Sequence, residues 1–327
     1  MSVSRTGESA AAEYAAAKSV GARRTTLLPL AAVAVTLLLW ASAFVAIRHL
    51  HSVPPGAMAL GRLLIGSLIL GLFLLRKHSR RRPDRPGVAA PRGRDWLPII
   101  TMGVLWFGVY MVSLNAAEQR IDAGTASMLV QISPIVIAVL AVLFLHERPS
   151  RYLLIGLLVA FAGVVLIGLQ TSSSAADSGP GDLLGVLLAV LAAVSYSISV
   201  IAQKSVLARV PVLEVTFFGC LIGTVACLPF AGQLWDVVRS GPADSLWWIG
   251  YLGVFPTAIA FSTWAYALHA MTASSLGVTT YLVPPITVLL GWLFLREVPP
   301  WLAVVGGLLS LLGVMIARRR PRTARRS

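Results

Sequence analysis

The 327-residue sequence predicts an all-α integral membrane protein, ten transmembrane helices arranged as two inverted five-helix repeats. Three observations carry that expectation. Hydrophobic residues make up 57% of the chain and charged residues only 12%, about half the charged share of an ordinary soluble domain. The apolar residues fall into ten blocks, each near the ~20 residues that an α-helix needs to cross a ~30 Å hydrocarbon core. The sequence also repeats itself at an offset of 150 residues, and the repeated unit holds an odd number of blocks.

The blocks run near 29–49, 56–75, 97–117, 125–145, 151–169, 182–203, 213–231, 246–268, 275–295 and 301–317. The first follows Arg23-Arg24 and contains Ala41-Ser42-Ala43, which imitates a secretory signal with its cleavage site. Its apolar run continues through Phe44, Val45 and Ile47, so it reads as a signal anchor and first helix. The second block carries Arg62. The third places Trp106, Tyr110 and Ser113 on one helical stripe, as the sixth does Tyr196, Ser199 and Gln203 and the eighth Ser262, Tyr266 and His269. The fourth and ninth hold Pro134 and Pro284-Pro285 near their middles. In the seventh, Cys220 and Cys227 share a face and read as small packing residues; no metal site, disulfide framework or cofactor is implied. The fifth and tenth carry Gly156-x-x-x-Ala160 and Gly306-x-x-x-Ser310, small-residue faces suited to close helix packing.

What remains is short. It comprises a tail at 1–26, an Arg/Pro-rich stretch at Arg76–Asp95, a Ser/Gly-rich linker at 171–181 and a basic tail at 318–327. The repeats accordingly span 27–170 and 182–317.

The 27 Lys and Arg against 13 Asp and Glu give a net charge of +14, a balance that by itself fits a nucleic-acid binder. The placement of the charges excludes that partner. With both termini cytoplasmic and ten alternating spans, 22 of the 27 basic residues lie on the inner side; only Arg48, Arg62, Arg120, Arg239 and Arg296 do not. This is the positive-inside pattern of a multi-pass protein of the cytoplasmic membrane, with the lipid bilayer as its partner.

Shifted by 150 residues, Gly103-Val104 falls on Gly253-Val254, Ala117 on Ala267, Ala123 on Ala273 and Pro134 on Pro284. Leu143-Phe144-Leu145, Glu147, Pro149, Gly156, Gly163 and Val164 then fall on Leu293-Phe294-Leu295, Glu297, Pro299, Gly306, Gly313 and Val314 without a gap. Apolar composition produces Leu and Val coincidences, but not a shared Pro, Glu, Pro, Gly, Gly series. A five-helix unit that starts at the cytoplasm must be followed by a copy of opposite orientation. Such inverted repeats suit alternating access.

These motifs carry a resemblance. Two halves with a mid-block proline, the run Leu-Phe-Leu-x-Glu-x-Pro and a Gly-rich last helix resemble the EamA-type transporters of the drug/metabolite transporter superfamily, as do Leu39-Trp40-Ala41-Ser42-Ala43-Phe44 and Arg62. The resemblance covers about residues 28–317, and Phe-Leu-His-Glu-Arg and Phe-Leu-Arg-Glu-Val are its most specific parts. It implies an exporter of amino acids, other metabolites or drugs with a central cavity between the halves. Val194, with Tyr196 nearby, stands where that family often has an aromatic pair including Trp.

Candidate cavity residues are Trp40, Arg62, Trp106, Tyr110, Gln131, Pro134, Tyr196, Tyr266, Tyr281 and Pro284. The prolines remove backbone hydrogen bonds at equivalent places, the pattern expected beside a transporter's binding site or at a packing kink. Gln131 and Tyr281, each one turn before a proline, either line a midplane cavity or hydrogen-bond between helices. Arg62, two turns into its block with no acid near it in sequence, must snorkel, pair, or serve gating or a substrate carboxylate. Glu147 and Glu297 are expected to pair with Arg148, Arg296 or other loops. No Asp or Glu lies mid-span, which gives no support to a buried carboxylate proton relay. A membrane enzyme or a non-transporting scaffold is the alternative; neither His-Glu-x-x-His nor Gly-x-Ser-x-Gly occurs. The substrate expected is a small molecule, and no spacing encodes the oligomeric state.

Overall fold

Apolar blocks of this length can satisfy their backbone in lipid only by winding into helices, and a computed structural model of the chain is all-helical among its described residues. Those residues are 27–47, 49–50, 52–79, 91–120, 129–173, 183–295 and 301–319; the N-terminal tail, most of the linker, Arg296, Glu297 and the end of the basic tail lie outside them. Among the described residues, six helices are long and apolar enough to cross a membrane: α1 (Leu27–Ile47), α2 (Pro55–Ser79), α3 (Gly93–Glu118), α6 (Leu183–Leu207), α8 (Ala243–Ala270) and α9 (Ala273–Phe294). A seventh, α7, is a bent pair, Val212–Ala226 and Leu228–Ser240, meeting at 52°. Shorter apolar stretches occupy α4 (Ser133–Leu145), α5 (Arg151–Ser173) and α10 (Trp301–Ala317).

Two expectations on helix continuity are corrected. The block at 213–231 is not one straight helix. Pro229, with no N–H to donate, ends the α-helical ladder after Ala226 and the chain turns through a 3-10 segment, Leu228–Phe230. Pro134 is not a mid-helix kink either: it is the second residue of a helix that starts afresh at Ser133, where a missing N–H costs nothing. Pro284 does lie mid-span in α9, where the winding changes from 3-10 to α at Val283. Before Pro134, Gln131 and Ile132 form a turn; before Pro284, Val278–Leu282 is 3-10 helix.

The irregularities fall in register with the 150-residue repeat. The starts at Ser133 and Val283 are equivalent, and so are the starts of two π-helical stretches, Gly103–Tyr110 in α3 and Gly253–Ile259 in α8. At both π-segments the leading glycine admits a neighbouring helix. A Cβ on Gly103 would stand 2.8 Å from the Gly219 carbonyl of α7, and one on Gly253 would stand 2.6 Å from Ile65 of α2.

The expected small-residue seam is present. Gly156, Gly163, Gly306 and Gly313 bring α5 and α10 into backbone contact, with Gly163 against the Gly306 carbonyl and Gly156 against that of Gly313. Ser310 Oγ donates to the carbonyl of Ala160, its own repeat equivalent, at 3.2 Å. Large apolar side chains such as Leu68, Phe144, Trp247 and Leu293 face outward, while Arg62, Gln131, Ser197 and Thr257 are buried: the reverse of a soluble protein's distribution.

The seam predicts a contrast between glycines. Gly163→Val, which must push α10 away, should cost about 1–3 kcal/mol, read as earlier unfolding in detergent. Gly250→Ala, whose Cβ would meet nothing within 4 Å, should be neutral or slightly stabilising.

Candidate functional site

The interior of the bundle holds a group of aromatic rings. Trp40 of α1 lies 6.1 Å from Trp106 of α3, 5.5 Å from Phe261 and 4.9 Å from Trp264 of α8, between ring centroids. Tyr196 of α6 closes the group at 5.0 Å from Trp106 and 6.2 Å from Trp264, and Tyr110 extends it at 5.7 Å from Tyr196. Edge-on and tilted arrangements dominate, as ring quadrupoles favour. Four helices thus converge on one cluster, and it unites Trp40, Trp106, Tyr110 and Tyr196 from the sequence candidates.

The cluster also contains Phe261 and Trp264, which sequence reasoning missed. The stripe chosen on α8 was the polar one, but Ser262 Oγ donates to its own helix at the Ala258 carbonyl (2.6 Å) and Tyr266 is 40% exposed on the outer surface. The inward face carries Phe261, Trp264, Ala265 and Leu268, the apolar i, i+3, i+4, i+7 series that would have located it. His269, at the end of α8, contacts the Leu207 carbonyl at 2.9 Å.

Arg62 does not snorkel; it is 7% exposed. Its Nε donates to Thr257 Oγ1 at 2.9 Å, and Thr257 Oγ1 donates to the Leu252 carbonyl five residues back at 2.8 Å. The Leu252 carbonyl lacks its usual donor four residues on because residue 256 is proline, which has no N–H. The Tyr110 hydroxyl and the Cys220 thiol are within electrostatic reach of the guanidinium, and Arg62 makes no salt bridge among the described residues. A buried guanidinium with no ion pair among the described residues is chemically suited to an anionic group. Nearby, Ser67 and Thr224 share a 3.0 Å hydrogen bond between α2 and α7, and the Cys220 thiol approaches the Leu63 carbonyl at 3.7 Å.

The two helix restarts meet each other. Gln131 Nε2 donates to the Thr280 carbonyl at 3.3 Å, so Gln131 is a helix-to-helix donor across the repeat. Ser133 Oγ donates to the Ala193 carbonyl at 3.2 Å, and Ser197 Oγ returns a bond to the Ser133 carbonyl at 3.3 Å. Tyr281 is fully buried against Phe161, apart from the aromatic cluster. Among the described residues its hydroxyl has no hydrogen-bond partner; neither do the Tyr196 hydroxyl, Trp264 Nε1 and both amide atoms of Gln203. No group of three metal-ligating side chains occurs among the described residues.

With this geometry in view, comparison with known proteins is decisive for the family. The EamA-like transporter family model matches residues 27–169 and again 183–319. The chain belongs to that family. A probable terminal-alkyne amino-acid exporter of Streptantibioticus cattleyicolor is 35% identical over 297 residues, covering 90% of this chain and 95% of the relative. An uncharacterized transporter of Bacillus subtilis, YdfC, is 33% identical over 284 residues, covering 84% and 86%. A solved crystal structure shares the fold at TM-score 0.72 with 22% identity, over 90% of this chain and 97% of that one. This EamA protein is therefore a multi-pass membrane transporter of the drug/metabolite type, acting on small molecules.

The Arg62 environment generates a prediction. Thr257→Val leaves a buried guanidinium donor unpaired and should cost about 1–3 kcal/mol, measured as a lower unfolding temperature in detergent. Thr257→Ser keeps the hydroxyl and should restore the difference.

Proposed function

We propose that this transporter exports amino acids or closely related organic acids across the cytoplasmic membrane by alternating access. The observation that carries the substrate class is Arg62, buried, held on Thr257 and without an acidic partner among the described residues. A carboxylate completes its charge in a way that a neutral solute does not. The aromatic cluster, next to Tyr110, supplies an apolar wall for the rest of such a molecule. The name of the Streptantibioticus relative supports the same class.

The architecture in this reading is ten spans in two inverted repeats, residues 27–170 and 182–317, joined by the linker at 171–181 with both termini cytoplasmic. Its supports are the 150-residue offset, the equivalent π-segments and helix restarts, and the two separate family matches. Orientation rests on the placement of the basic residues. Broken helices at equivalent positions are where transporters place their binding sites, and here the breaks are joined by Gln131 and Thr280.

Purified protein in liposomes should move a labelled amino acid, while the matching amine without the carboxylate should not compete for the carrier. Arg62→Gln should lower amino-acid flux at least tenfold with membrane levels intact. Gln131→Ala and Tyr281→Ala should each impair flux as well. Equal transport of the amine, or undiminished flux in Arg62→Gln, would falsify the carboxylate assignment.

A further inference from the structure

Gln203 is 1% exposed, and neither its amide oxygen nor its amide nitrogen has a partner among the described residues. The Tyr196 hydroxyl and Trp264 Nε1 are in the same condition. Tyr196 and Gln203 stand seven residues apart on α6, two turns along one face, and the ring of Trp264 faces Tyr196 from α8 at 6.2 Å. Buried polar atoms are almost always paired. Tyr196, Gln203 and Trp264 together set a row of such atoms from the aromatic cluster toward one end of the bundle.

The contacts at that end are specific. His146, in the left-handed region at φ 54°, closes α4, and the Glu147 N–H returns to the Ala141 carbonyl at 3.1 Å. The turn delivers the Glu147 carboxylate to the first turn of α9. There it accepts the Ala273 N–H at 2.7 Å, the Ser274 N–H at 3.1 Å and Ser274 Oγ at 2.7 Å. A carboxylate on the free N–H groups of a helix start is a charge-assisted contact, stronger than a neutral one. Beside it Lys204, the residue after Gln203, donates to the Leu268 and Met271 carbonyls at 2.6 Å each and closes the end of α8. Leu268, Ala273 and Leu276 beneath these contacts are fully buried. Of the partners open to Glu147, Arg296 lies outside the described residues, and Arg148 is passed over for the start of α9 after the α8–α9 connection, 126 and 127 residues away in the other repeat.

We propose that Tyr196, Gln203 and Trp264 wall the passage between the aromatic site and the basic end of the bundle, and that Glu147 seated on the start of α9 is the latch holding it closed. Release of the carboxylate separates α4 from α9 at that end. The single neutral bond from Gln131 to Thr280 remains as the inner point of attachment. The amide of Gln203 and the tips of Tyr196 and Trp264 then acquire water or a polar substrate as partners. The passage rests on the transport reading above; the latch is tested independently of it.

The test replaces Cys220 and Cys227 by serine, introduces Gln203→Cys, and measures labelling by a membrane-impermeant thiosulfonate in vesicles that expose the basic end. With Glu147 intact the thiol should react slowly. Glu147→Ala should speed labelling about tenfold or more, the scale expected when charge-assisted bonds are lost. Ser274→Ala, which removes one of three donors and leaves the acid in place, should give a smaller increase. Glu147→Gln keeps the side chain's shape and carries the test if the alanine variant fails to fold. Labelling unchanged in Glu147→Gln and Ser274→Ala overturns the latch. Faster labelling in these variants, with no amino-acid flux in the parent protein, upholds the latch and overturns the substrate assignment instead.

Discussion

Hydrocarbon offers no hydrogen-bond partner, so each carbonyl freed by an irregular turn within a membrane helix must be met from inside the protein. That constraint organises the interior of this transporter. Pro256 in the π-segment of α8 cannot donate to the Leu252 carbonyl, Thr257 Oγ1 meets it, and the same hydroxyl receives Arg62. The 3-10 segment of α9 is satisfied by its own threonines, with Thr279 Oγ1 on the Leu276 carbonyl and Thr280 Oγ1 on that of Gly277. The Thr280 carbonyl is then answered by Gln131 from the turn before α4. Polar side chains therefore gather where the backbone departs from the α-helix, and the one buried cation described in the interior is held by such a departure. Site and irregularity have a common cause.

Much of this was written in the sequence. Apolar block lengths placed the helices, and the shared glycines and prolines forecast equivalent features 150 residues apart. The π-segments beginning at Gly103 and Gly253 and the restarts beside Pro134 and Pro284 are those features. Other parts were legible but misread. Pro229 sat in plain view inside the seventh block, and the apolar series through Phe261, Trp264 and Leu268 was passed over because polar tips look like ligand groups. On a membrane helix a serine finds its own backbone and a tyrosine can face lipid, so the inward face is identified by its large apolar rings. The partners of Glu147 and Arg62 belong to a third kind. They lie 126 and 195 residues away, and no local spacing encodes contacts of that range.

Among the described residues, the two hydrogen-bonded attachments between the α4 segment and α9 differ in strength. Near the middle there is one neutral amide-to-carbonyl bond; at the end there are three bonds to a carboxylate. The charge-assisted contact lies at the helix ends and the neutral one near their middle. Tight closure at the end and easy adjustment at the centre are what a carrier needs if its site is to stay assembled while its access changes.

The α5 and α10 seam has the opposite character. Glycines on both helices press backbone against backbone, and Ser310 ties the pair at the carbonyl of Ala160. Surfaces in such contact have no side chains to reorient and no slack to take up, so the pair resists both separation and sliding. It is best regarded as a single rigid unit. Any rearrangement that preserves the seam must carry α5 and α10 together, and the neighbour it constrains first is α9, whose Val278 and Tyr281 pack with Leu157, Val164 and Val314 of that pair.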